Sequence, residues 1–197
     1  MNYIRVSYKN HSKMFNFIFL SISISVTLGL IISLCLDKSL IDSIYNLFLE
    51  YVTNYNSNTL SNILYPIINY LVIFILSLTL IGFFIPFLSI IIENVSVGLI
   101  LGILIRKCAL KGLLYGIIYF IITKLIYLII LIYLTFNIYK FILNLINSIK
   151  NKKNDSIYNL YSNILLKLLF SIIIVLVISL LNIFIAPYLL EIFLFLL

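Results

Sequence analysis

Residues 86–135 read PFLSIIIENVSVGLILGILIRKCALKGLLYGIIYFIITKLIYLIILIYLT. Two apolar runs flank the basic segment Arg106-Lys-Cys-Ala-Leu-Lys111. Pro86 to Ile105 spans 20 residues with one charge, Glu93, and Gly112 to Thr135 spans 24 with one charge, Lys124. At about 1.5 Å per residue, each run is as long as the hydrocarbon core of a bilayer is thick, about 30 Å. The stretch predicts a tight antiparallel hairpin of two membrane helices, closed by the charged turn.

The rest of the chain agrees. Of 197 residues, 64% are apolar and 10% charged, and mean hydropathy is +1.24. Soluble domains carry about 25% charged residues. A disordered chain, a nucleic-acid-binding domain and an ordinary soluble enzyme are excluded on that ground. The length holds four to six spans and excludes a large transporter of two repeated halves.

Working outward, Met14 to Leu36 gives 23 uncharged residues, a retained first span. Ile67 to Ile85 is the second span, with Pro66 marking a helix start and Gly82 and Pro86 a tight turn. Residues 168–187 are the fifth span, stopped by Pro187. The tail 188–197, with Glu191, is expected to fold back at the interface. Two amphipathic helices are predicted, the first on the membrane surface or on a partner and the second at the interface. Over 40–52, Leu40, Ile41, Ile44, Tyr45, Leu47, Phe48 and Tyr51 share one face, opposite Asp42, Ser43, Asn46 and Glu50. Over 138–149, Ile138, Phe141, Ile142, Leu145 and Ile146 face one way, and Lys140, Asn144 and Asn147 the other. The polar stretches 54–62 and 150–155 link these elements. The fold class is all-α, a single polytopic membrane domain over 1–197 with five spans and a tight central hairpin.

The 13 Lys and Arg against 6 Asp and Glu read as membrane-orienting charge. With the N-terminus cytoplasmic, the inner side holds eight basic residues: Arg5, Lys9, Lys13, Lys140, Lys150, Lys152, Lys153 and Lys167. The outer side holds four, Lys38, Arg106, Lys107 and Lys111, and the C-terminus lies outside.

Glu93 precedes Ile105 by 12 residues, and Lys124 follows Gly112 by 12. In an antiparallel hairpin both lie about 18 Å from the same surface, where an ion pair would offset the cost of each charge. The other reading has Lys124 snorkelling and Glu93 protonated or at a helix end. Gly98-Leu-Ile-Leu-Gly102 and Gly112-Leu-Leu-Tyr-Gly116 are small-residue faces that let helices approach closely in lipid. Packing within the hairpin is the favoured use, and an oligomer or partner face the other.

No catalytic constellation emerges. His11 is the single histidine and lies in the N-terminal tail. Asp37, Asp42 and Asp155 lie outside the spans, and Ser77, Ser89, Ser96, Ser171 and Ser179 have no histidine base. Cys35 and Cys108 have no metal-ligand spacing, and nucleotide-binding glycine loops are absent. No enzyme activity, metal or cofactor is expected. A path lined by Glu93, Asn94, Ser96 and Lys124 would suit a small permease or a membrane subunit of a transporter.

The segment Phe74-Ile-Leu-Ser-Leu-Thr-Leu-Ile-Gly-Phe-Phe-Ile-Pro86 leads through Val97-Gly-Leu-Ile-Leu-Gly102 to Leu110-Lys-Gly-Leu-Leu114. In that order it resembles the stage II sporulation protein M family. The closing Ile185-Ala-Pro-Tyr-Leu-Leu-Glu191 is similar to the family's ending, and the match is densest over 74–130. The chain departs where the family carries a Pro-Gln-Asn-like break, here Ile122-Thr-Lys124. It departs again where a basic residue and glycine open the third span, here Glu93 and Asn94. The resemblance implies a non-enzymatic multi-pass protein of the bacterial cell membrane, acting in engulfment during sporulation. It would hold peptidoglycan hydrolases resembling stage II sporulation proteins D and P, with 40–52 and the C-terminal tail as natural contacts. The partners expected are therefore the lipid bilayer and these hydrolases, not nucleic acid.

Overall fold

The computed structural model describes residues 2–53, 59–79, 82, 84–150 and 154–194, with side chains over 12–53, 64–79, 82, 84–150, 158–184 and at Tyr188. The predicted links at 54–58 and 151–153, the tail positions 195–197, and the side chains of Arg5, Lys9, His11, Asp155, Pro187 and Glu191 lie outside the described residues. The described residues form six helices in order: α1 (Asn2–Cys35), α2 (Lys38–Thr53), α3 (Thr59–Ser77), α4 (Phe84–Thr123), α5 (Leu125–Lys150) and α6 (Asn154–Leu194). No strand occurs among the described residues. Among the described residues, four segments are long and apolar enough to cross a membrane: Ser12–Cys35, Phe84–Thr123, Leu125–Lys150 and Tyr158–Phe184. The chain is a polytopic helical membrane protein.

The 40 residues of α4 are not one rod. At Ala109 the backbone takes φ 51° and ψ −127°, and the helix reverses. The arms 84–108 and 110–123 run antiparallel: Gly112 packs on Leu104, Gly116 on Leu101 and Leu104, and Lys124 meets Glu93. The turn lies inside the basic segment, which seeks water. A non-glycine residue in that backbone region carries a strain of about 1–3 kcal/mol. Ala109→Gly is therefore expected to stabilise the protein by about 1 kcal/mol or more, read as a higher thermal midpoint in detergent. An unchanged or lower midpoint would show that the turn is unstrained.

Backbone bonds from Lys124 N to Phe120 O (3.0 Å) and from Leu128 N to Lys124 O (2.9 Å) carry the helical pattern from α4 into α5. The fourth span and the predicted interfacial helix 138–149 are thus parts of one bent helix. The apolar stripe Ile138, Phe141, Ile142 and Leu145 is buried in the core rather than laid on a surface. Amphipathic spacing reports a buried face without saying whether lipid or protein covers it.

α1 runs parallel to 84–108. Phe17 stacks on Phe87 (centroids 5.1 Å apart, planes 15° apart) and Gly29 sits against Val95 to Leu99. At the far end Arg106 Nη1 donates to the carbonyls of Ser33 (2.5 Å) and Leu36 (3.1 Å). These are carbonyls of the last turn of α1 and just beyond it, which lack partners within the helix. Arg106→Ala should lower stability by about 1–2 kcal/mol, measured by thermal melting, while Arg106→Lys should recover part of it. Equal losses in the two variants would mean that charge at this helix end contributes nothing.

α3 turns back at 79–82 into 84–108, with Tyr65 and Asn69 beside Glu93, and α6 returns antiparallel to α5, joined by Lys167 Nζ to Asn137 Oδ1 at 3.0 Å and an edge-on Phe141–Tyr161 pair. The second span is shorter than 67–85. Ser77 Oγ donates to the Ile73 carbonyl (2.5 Å), α3 ends there, and Gly82 N closes a turn on Thr79 O (2.9 Å). Pro66 lies inside α3 instead of starting it, and Pro86 sits in the first turn of α4, where its missing N–H costs little. Pro187 does not stop α6, which continues to Leu194, so that stretch does not fold back. In lipid an unwound backbone has no water to satisfy it, which favours continuing the helix past a proline. α6 buries the narrow stripe Ile164, Ser171, Val175 and Ser179. It leaves Leu166, Phe170, Ile173 and Val177 exposed, a surface suited to lipid.

Candidate functional site

Glu93 lies mid-way along the first arm, and Lys124 at the joint between α4 and α5. Lys124 Nζ donates to Glu93 Oε2 at 2.8 Å, and both side chains are part-exposed. The exposure is toward a cavity of about 590 Å³. Its back wall is Tyr119, Ile130, Val175 and Ser179, all buried. α3 supplies Tyr65, Pro66 and Asn69, α6 adds Asn182, and α2 supplies Ile44, Leu47, Phe48 and Tyr51. Asn69 Nδ2 donates to Tyr127 Oη at 3.2 Å, fixing α3 to α5 beside the pair.

α2 packs on this chain's own hairpin: of its buried residues, Phe48 and Val52 cluster with Leu104, Tyr115 and Tyr119. Phe48 stands edge-on to Tyr119 (5.1 Å, 82°) and to Tyr115 (6.0 Å, 85°). Near the turn, Asp42 pairs with Lys107, and Tyr45 Oη lies 3.6 Å from Cys108 Sγ. Burial, then the Cys108 contact, push the Tyr45 phenol up to about 12, so it stays neutral. Leu40, Asn46, Leu47 and Glu50 remain exposed.

The glycines divide between two seams. Gly112 and Gly116 face the opposite arm of the hairpin. Gly98 and Gly102 face α1 instead: a Cβ at Gly98 would strike the Val26 carbonyl, and one at Gly102 would strike Ser33. Gly29 completes this seam from the α1 side. Its spacing from Ser25 and Ser33 repeats the small-residue pattern at intervals of four, so the sequence carries a signal for this seam as well. The cavity tyrosines and Asn182 had no such signal, because tyrosines are common throughout the chain.

Of the polar residues Glu93, Asn94, Ser96 and Lys124, Glu93 and Lys124 line the large cavity, and Asn94 joins them only on a much smaller one. Asn94 is buried and donates from Nδ2 to the Ile90 carbonyl (2.7 Å), and Ser96 Oγ donates to the Glu93 carbonyl (2.7 Å). Neither lines the large cavity. Cys35 and Cys108 are free thiols, and no group of three metal-ligating side chains occurs among the described residues.

The sequence matches no family model, no curated protein and no solved structure.

Proposed function

We propose that this chain is a non-enzymatic scaffold of the bacterial cell membrane. In this reading it holds septal peptidoglycan-cleaving proteins, resembling stage II sporulation proteins D and P, during engulfment. The observation that carries the reading is α2. It is tied to the end of the hairpin by Asp42–Lys107, Tyr45–Cys108 and Phe48 on Tyr115 and Tyr119, and it keeps an edge of Leu40, Asn46, Leu47 and Glu50 exposed. A rigidly held helix with an apolar and acidic edge suits a docking element. With the N-terminus cytoplasmic, that edge faces the wall. The motifs of 74–130 that resemble the family also build the turn before α4, the α1 seam and the hairpin.

The test is purification of the tagged full chain, in mild detergent, from sporulating cells of its host. Peptidoglycan hydrolases are expected among the specific partners, and Leu40→Glu with Leu47→Glu should reduce their recovery by about tenfold. Recovery of an ATPase or a solute-binding protein instead would overturn the scaffold reading. The cavity beside Glu93 and Lys124 favours a second reading, a membrane subunit of a transporter. On that reading Glu93→Gln abolishes uptake while assembly persists; on the scaffold reading the partners are retained.

A further inference from the structure

We propose that the cavity between α2, α3, α6 and the hairpin binds an uncharged, single-chain membrane amphiphile with a hydroxyl-bearing headgroup, of the monoacylglycerol class. The size fits. At about 30 Å³ per water-sized group, 590 Å³ holds a ligand of about twenty heavy atoms. The volume also lies within the usual range for small-molecule sites, which are apolar with a few convergent polar groups.

The wall is amphipathic. Ile44, Phe48, Ile100, Ile130, Val175 and Ile178 supply an apolar trough. Asn69, Asn182 and the tyrosine phenols supply amide and hydroxyl groups, and Ser179, whose Oγ donates to the Val175 carbonyl, supplies an acceptor. Such groups suit a headgroup of alcohols.

Charge decides the class of headgroup. Among the described residues, Glu93 and Lys124 are the two charged side chains on the lining, and they pair with each other at 2.8 Å. The described lining therefore sums to zero. A bound carboxylate would have to take Lys124 from Glu93, and a bound ammonium would have to take Glu93 from Lys124. Either exchange leaves one protein charge unpaired in a site of low dielectric, which is costly. A neutral polyol leaves the ion pair intact.

The mouth opens beside an apolar face of α3. Phe48, Tyr119 and Val175 are buried, whereas Tyr65 at the rim is 70% exposed. Its exposed neighbours on α3 include Leu64 and Ile68, a face suited to lipid. An entrance rimmed by Leu, Ile and Tyr at this depth admits a molecule already dissolved in the bilayer. The inference does not depend on the scaffold reading.

The experiment uses the full chain in phosphatidylcholine vesicles with a photoreactive palmitoylglycerol carrying a diazirine in its chain. Labelling is expected on the peptides of α2, 119–130 and 175–182. Unlabelled palmitoylglycerol should displace it at a mole fraction at least about tenfold lower than palmitate or hexadecylamine. Ile178→Trp, which fills the trough, should cut labelling at least about fivefold, while Leu166→Trp on the exposed face of α6 should not. Ile100→Phe fills the cavity from the other side and serves if Ile178→Trp lowers the thermal midpoint. Labelling confined to exposed faces, equal displacement by all three competitors, or full labelling of a folded filled variant would each overturn the proposal.

Discussion

Gly98→Leu is expected to separate α1 from the hairpin and leave little folded protein. The two helices meet backbone to backbone. A Cβ at Gly98 falls on the Val26 carbonyl oxygen, and one at Gly29 falls 2.7 Å from the Leu99 nitrogen. Neither obstacle is a side chain that can turn away. A leucine therefore forces the axes apart along the most extensive helix pairing among the described residues. In lipid no hydrophobic effect closes the gap again, because lipid tails replace the lost contacts. Overpacking a tight core costs about 1–3 kcal/mol, and a backbone obstacle belongs at the upper end. The thermal midpoint of purified protein in detergent reads the loss directly. Gly116→Ala is the comparison, because its new Cβ meets the Leu101 and Leu104 side chains, the closest at 2.5 Å, and those can rotate. A Gly98→Leu variant that melts no lower than Gly116→Ala would refute the seam.

The second large effect belongs to the ion pair. Lys124→Met leaves Glu93 without its cation, and Glu93→Leu leaves Lys124 without its anion. Each single change is expected to cost about 3 kcal/mol, the low end for breaking a buried pair, because the cavity gives both groups some access. Changing both together removes two charges that need desolvation, so the double variant should lie within about 1 kcal/mol of the unchanged protein. A double-mutant cycle of thermal or denaturant unfolding measures the coupling. Additive losses would mean that the two groups act separately, despite the 2.8 Å contact.

Much of this pair was legible in the sequence. Glu93 and Lys124 stand at equal distances from a basic segment, and a helix rises by a constant step, so counting alone sets them at one depth. The hairpin followed from the same local facts, two apolar runs around Arg106 to Lys111. Depth is not direction, however. Gly98 and Gly102 share the hairpin's depth but face α1, because residues four apart choose a side of the helix that counting does not name.

By itself, the sequence determined the class of fold, the apolar segments and the place of the reversal. Each depends on hydropathy and charge read along a short window, which lipid and water impose directly. Tertiary structure alone decided the rest: α2 drawn onto Tyr115 and Tyr119, 138–149 merged into α5, and a cavity opened beside Glu93 and Lys124. The physical reason lies in the composition. When 64% of the residues are apolar, helices are hydrophobic all round, and lipid-facing and protein-facing sides look alike. The choice between them falls to close packing, small residues and a few paired polar groups, which act only once the helices meet.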